Sequence, residues 1–127
     1  MKLILHIGHF KSGSTSLQSW LHINSNALEA SGFTYPATKL KQRNHNIVAL
    51  YGTGYEYAKD FALGAIHRPI YGDETSVMRR LFREELAEIV SEAKNNNQTA
   101  VILSTEYLTA LFQAGIERLH ELFSKHF

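Results

Sequence analysis

Two short runs of the chain are almost wholly apolar. One, KLILHIG, covers residues 2 to 8; the other, TAVILS, covers residues 99 to 104. Apolar runs of this length, bounded by polar residues and glycine, predict short buried strands of the kind found in parallel sheets. Between them the period changes. From about Ser14 to Ala30, the apolar positions Leu17, Trp20, Leu21 and Leu28 follow helical spacing, and Gly32 is the expected stop. FTYP, residues 33 to 36, predicts a short extended piece, and the polar, basic residues 37 to 46 a loop. Residues 47 to 72 mix glycines and aromatics without a clean period, which predicts short helices and loops. The strongest helical stripe is at 75 to 94, where Val77, Met78, Leu81, Phe82, Leu86, Ile89, Val90 and Ala93 make one face and Asn95-Asn96-Asn97 ends it. A last helix is predicted over 106 to 125. Trp20, Phe112, Leu119, Leu122 and Phe123 are expected in the core.

Strand, helices, strand, helix is the order of a single α/β domain with a parallel sheet, here spanning 1–127. Two strands make a small sheet, since open sheets mostly have four to six or so. The pattern therefore predicts part of a larger α/β domain, or a chain that needs a partner. An incomplete sheet edge favours self-association.

Composition narrows the chemistry. The formal net charge is +1, so bulk charge recruits neither nucleic acid nor an acidic membrane. There is no cysteine, which removes disulfides, thiolate zinc sites and cysteine nucleophiles and fits a cytoplasmic protein. LILHI is too short and too broken for a signal peptide, and no apolar segment is long enough to span a membrane.

The stretch HIGHFKSGSTSLQSWL, residues 6 to 21, sits between the first strand and the first helix. A helix N-terminus presents unpaired N–H groups and a partial positive charge. Gly13 permits close backbone approach and positive φ, Lys11 adds a mobile charge, and Ser12, Ser14, Thr15 and Ser16 add hydroxyl donors. Together these residues suit an anion with several oxygens; the plainer account is a capped turn. The nucleotide P-loop, G-x-x-x-x-G-K-[ST], has its lysine after the second glycine. Here Lys11 stands two places before Gly13. A nucleotide hydrolase also needs a magnesium-binding acid at a strand end, and the strand at 99 to 104 runs into Ser104-Thr105-Glu106. A P-loop kinase or hydrolase is the alternative reading, and a non-catalytic anion-binding remnant is another.

The stretch resembles the 5′-phosphosulfate-binding loop of the sulfotransferase family, K-[ST]-G-[ST]-[ST]. LEASGFTYP (28 to 36), NHNIVAL (44 to 50) and VILSTEYL (101 to 108) resemble further segments of bacterial members, in the same order. Relatives often have histidine just before the loop lysine, where this chain has Phe10. The resemblance implies the N-terminal part of a sulfotransferase, a P-loop-like three-layer α/β/α domain with a parallel sheet incomplete at the C-terminus, with 3′-phosphoadenosine 5′-phosphosulfate as donor and a hydroxyl or amine acceptor, such as a carbohydrate. It implies Lys11 on the bridging and 5′-phosphate oxygens. The amides of 12 to 16, with the Ser14 and Thr15 hydroxyls, would hold the 5′-phosphate, and no metal is required. The segment that reads the 3′-phosphate in the family has no counterpart before Phe127. A base is expected for the acceptor proton; the resemblance falls on His45, with Glu106 second.

The other histidines, His6, His9, His22, His67, His120 and His126, lack metal-ligand spacing and read as core or surface residues. Lys39, Lys41 and Arg43 read as a solvated loop, with an anionic acceptor as the functional alternative. Arg79, Arg80 and Arg83, interleaved with Glu84, Glu85 and Glu88, read as a solvated helix face.

Overall fold

A computed structural model describes residues 1–8, 14–57 and 61–127. It contains β1 (Lys2–Ile7), α1 (Ser14–Ile23), α2 (Ser25–Ala30), β2 (Phe33–Thr34), α3 (Ile47–Thr53), α4 (Phe61–Tyr71), α5 (Thr75–Asn95), β3 (Ala100–Thr105) and α6 (Gln113–Ser124). Short 3-10 turns cover Tyr55–Tyr57 and Tyr107–Ala110. The strands form one parallel sheet in the order β1-β3-β2. Among the described residues, no helix is long and apolar enough to cross a membrane.

β3 is the centre of the sheet and every one of its residues is buried. Strand side chains alternate between faces, and the two faces of β3 feed two cores. Val101 and Leu103 join Ile47, Val48 and Leu50 of α3, Met78, Phe82 and Leu86 of α5, and Leu119 and Leu122 of α6. Ile102 joins Leu21 of α1 and Tyr35, with Leu28 of α2 against them. Helices therefore cover both faces. β1 lies at an edge, and its Ile4 and Ile7 are 43% and 54% exposed.

Several expectations need correcting. The helix expected over 14 to 30 is two helices, because the Asn24 side chain and backbone N–H both donate to the Trp20 carbonyl and end α1 there. Phe33–Thr34, the start of the extended piece expected at FTYP, supply a third strand. The final helix starts at Gln113, after the turn at Tyr107–Ala110. Trp20 and Phe112 are 55% and 64% exposed instead of in the core; α1 buries Gln18 and Leu21 and turns Trp20 outward. Within 47 to 72, α3 buries every residue from Ile47 to Gly52. Its close neighbour is α6: a Cβ on Gly52 would meet Leu111 Cδ2 at 2.9 Å and the Gly115 carbonyl oxygen at 3.3 Å, so a larger residue there would make Leu111 and the α3–α6 contact shift.

Glu85 is the largest departure from the expected solvated face of α5. It is 4% exposed. Helical spacing puts it in the same stripe as Met78, Phe82 and Ile89. Its Oε2 accepts from the Tyr71 hydroxyl at 2.5 Å and its Oε1 from the Lys39 backbone N–H at 2.6 Å, which ties the loop after β2 to α5. Burial, with the Glu85 carboxylate alongside, pushes the Tyr71 phenol far above its usual range, so it stays protonated and donates to Glu85. Tyr71→Phe keeps the ring and removes that donor, leaving a buried carboxylate oxygen unpaired. The expected cost is about 2 kcal/mol, read as a lower urea midpoint at pH 7; an unchanged midpoint would mean that Glu85 draws no support from Tyr71.

Candidate functional site

In a parallel sheet all strands end on one side, and ligands of open α/β sheets bind beyond those carboxyl ends. Here β1 and β3 end together: His6 pairs with Ser104 and Ile7 with Thr105, and the buried Gly8 N–H donates to the Thr105 carbonyl at 2.9 Å. Gly8 leads into residues 9–13, and α1 begins at Ser14. Lys11, Ser12 and Gly13 lie outside the described residues, as does the Ser14 side chain. Thr15 and Ser16, on the first turn of α1, are exposed.

Beneath that turn is a buried polar cluster centred on Ser104, which is fully buried. Gln18 Nε2 donates to Ser104 Oγ at 3.0 Å, and His6 Nδ1 lies 2.8 Å from the same oxygen. Tyr35 donates its hydroxyl proton to the Arg43 carbonyl. Ser104 Oγ accepts from Gln18 and shares one proton with His6 Nδ1, in the direction that the His6 tautomer sets. Burial pushes the Tyr35 phenol up to about 12, against the lowering effect of Ser104.

His45 is held quite differently. It is 1% exposed, edge-on to the Tyr35 ring at 4.8 Å. Its backbone N–H donates to the Ser104 carbonyl at 2.7 Å, and its Nδ1 accepts the Ser104 N–H at 2.9 Å. Since a backbone N–H can only donate, the ring proton is on Nε2, which donates to the Pro36 carbonyl at 2.8 Å. Burial lowers its pKa to about 4, against the raising effect of these backbone partners. Neither ring nitrogen has a lone pair left for an acceptor proton, so the role of general base expected for His45 does not fit. It is a strap that continues the β2 side of β3 into the loop over residues 36–46.

Its neighbours complete that strap. Asn44 Oδ1 accepts the Asn46 N–H at 3.1 Å, and Asn46 Oδ1 accepts from the Thr105 hydroxyl at 3.1 Å. Glu106, directly after β3, is half-buried, and its carboxylate makes no cap hydrogen bond to the turn it starts. Lys39, Lys41 and Arg43 are exposed on the loop.

A cavity of about 320 Å³ lies beside β2, between α2 and α5, lined by His22, Glu29, Tyr35, Pro36, Ile89 and Glu92 among others. Its two carboxylates make it a poor seat for an anion. Among the described residues, no group of three or more His, Asp or Glu side chains is arranged to hold a metal ion. Comparison with protein-family models, curated proteins and solved structures finds nothing that matches this chain.

Proposed function

We propose that this chain is the donor-binding part of a P-loop-like α/β/α sulfotransferase, with 3′-phosphoadenosine 5′-phosphosulfate as donor and a hydroxyl or amine acceptor. The observation that carries the reading is the junction at the carboxyl end of β1. A segment containing Lys11, Ser12 and Gly13 enters a helix whose first turn exposes Thr15 and Ser16, beside the end of the central strand. The residues present suit the 5′ end of such a donor. Backbone N–H groups, hydroxyls and one mobile ammonium are what a phosphate and a bridging oxygen require.

The chemistry assigned to the chain is transfer in line. The acceptor O–H or N–H gives up its proton, its lone pair bonds to sulfur, and the bond from sulfur to the bridging oxygen breaks, leaving the electron pair on the 5′-phosphate. Lys11 meets that charge where it develops, and such fixed electrostatic stabilisation is the main expected source of rate. The proton goes to the His6 imidazole, in the tautomer that donates from Nδ1 to Ser104 Oγ and keeps its lone pair on Nε2; Glu106 is the other carboxyl-end group able to take it. The acceptor is a carbohydrate in the simplest version, drawn by the exposed basic loop. The protein is read as cytoplasmic.

Calorimetric titration with 3′-phosphoadenosine 5′-phosphate, without magnesium, tests the reading. We expect micromolar binding that weakens more than about tenfold in Lys11→Ala, the loss of roughly one charge-assisted contact. Binding of ATP that needs magnesium, with none of the bisphosphate, would replace the sulfotransferase by a nucleotide kinase or hydrolase.

A further inference from the structure

Three arginines meet at the carboxyl end of α3, on the sheet face away from α1. Arg79 Nε donates to the Tyr51 carbonyl at 2.8 Å, and Arg118 Nη1 donates to the neighbouring Gly52 carbonyl at 2.9 Å. Arg83, one turn further along α5, reaches the Tyr51 hydroxyl at 3.5 Å. The Arg79 guanidinium also lies over the Tyr51 ring, 5.9 Å from its centroid. Adjacent carbonyls on one short helix therefore hold two guanidinium groups side by side, with a third next to them.

Capping a helix C-terminus is a common use of arginine, but it leaves most of this charge unspent. Each cap uses one N–H of a guanidinium that has several more. A helix end carries about half a negative charge, against three full positive ones. The expected glutamate partners are elsewhere. Glu84 pairs with Arg80 at 3.4 Å, and Glu85 is buried against Tyr71. Glu56, whose charge Arg79 does feel, accepts from the single Thr75 hydroxyl with both oxygens, at 3.0 and 2.9 Å, and among the described residues makes no salt bridge. Among the described residues, Arg79, Arg83 and Arg118 form no salt bridge. Burial first, and then the charge of Arg118, lowers the pKa of Arg79, as expected when like charges are crowded together. Arg83 and Arg118 remain exposed.

We propose that Arg79, Arg83 and Arg118 form a binding site for a multivalent oxyanion, a sulfate or phosphate ester group, separate from the Lys11 segment. Planar guanidinium forks match the paired oxygens of such groups. Two of the three forks are already aimed by backbone carbonyls, so little ordering is needed on binding. Free oxyanions and esters on a saccharide share this chemistry.

The test uses the full chain carrying Lys11→Ala, which removes the ammonium of the other anion segment. Binding of inorganic pyrophosphate is followed by calorimetry and by the arginine Nε–H signals in ¹H–¹⁵N spectra. Arg83→Gln and Arg118→Gln are each expected to weaken it about fivefold, and the pair together about twentyfold or more. Arg80→Gln should leave it unchanged. Both tested positions are exposed, and their spectra report directly whether the fold is kept. Pyrophosphate binding that survives in the double variant, or is absent from the Lys11→Ala parent, would overturn the proposal. Inorganic sulfate and a sulfated disaccharide then separate the sources. Tighter binding of the disaccharide, lost in the double variant, identifies an ester, and equal binding lost in the same way identifies the free ion.

Discussion

On acidification from pH 6.5 to pH 4, the folded chain is expected to lose about 3 kcal/mol of stability through His45 alone, from a shift of 6.5 to about 4 at about 1.4 kcal/mol per unit. The sign follows from proton counting. In the unfolded chain His45 takes up a proton as the pH falls through 6.5; in the folded chain it does not until about 4. Between those values the unfolded state binds more protons, so stability rises with pH across the window and is flat above it. Protonation in place would convert Nδ1 from acceptor to donor and set it against the Ser104 N–H. His67, also buried and lowered mainly by burial, adds to the slope with the same sign. Urea unfolding at several pH values, compared between the natural chain and His45→Gln, should show a shallower slope in the variant. If the variant is too unstable to compare, the imidazole proton signals of the natural chain decide. A His45 resonance that titrates near 6.5 would mean that the ring is not held as described.

That buried imidazole also shows how much could be read from residue patterns. The apolar runs at 2 to 8 and 99 to 104 are strands, and the stripe from Val77 to Ala93 is a helix, because hydrophobic period is set by the backbone geometry that each element must adopt. The polar residues of the cluster could not be found that way. Ser104 and Gln18 are buried because they satisfy each other, and that pairing exists only once β3 lies beside β1 and beneath α1. His6 passed as one polar letter in an apolar strand. Its alternation with Ile4 does put it on the α1 face, but its partner across the sheet is nearly a hundred residues away. The segment NHNIVAL pointed to His45, which sits at the end of β3 on its backbone; Asn46 next to it, which no residue pattern singled out, holds the Thr105 hydroxyl. Residue type alone gave His45 chemistry, whereas burial and two backbone partners give it a structural task. Trp20 misled for the opposite reason. A helix beside an edge strand has an outer flank with nothing to cover it, so helical spacing overstates the core.

The two histidines should therefore part company when each is changed. His6→Asn retains an N–H able to donate to Ser104 Oγ but has no basic nitrogen. With a saccharide acceptor, its turnover, measured as release of 3′-phosphoadenosine 5′-phosphate, is expected to fall about a hundredfold or more, the usual contribution of a positioned base. Affinity for the bisphosphate should change little, because the residues assigned to hold it begin at Lys11. The loss should lie in kcat and not in KM, since the proton moves only as the acceptor attacks. His45→Gln, at a temperature where it stays folded, should show the reverse emphasis, with an altered unfolding profile and turnover within a few fold. If His6→Asn turns over normally, its lone pair is not the proton acceptor. Glu106, half-buried just beyond the central strand and free of any cap hydrogen bond to its own turn, would then be the group to change. Under the proposed function, either outcome sends the proton towards the end of the sheet, where the fold gathers its polar side chains, and not into the backbone strap that His45 closes.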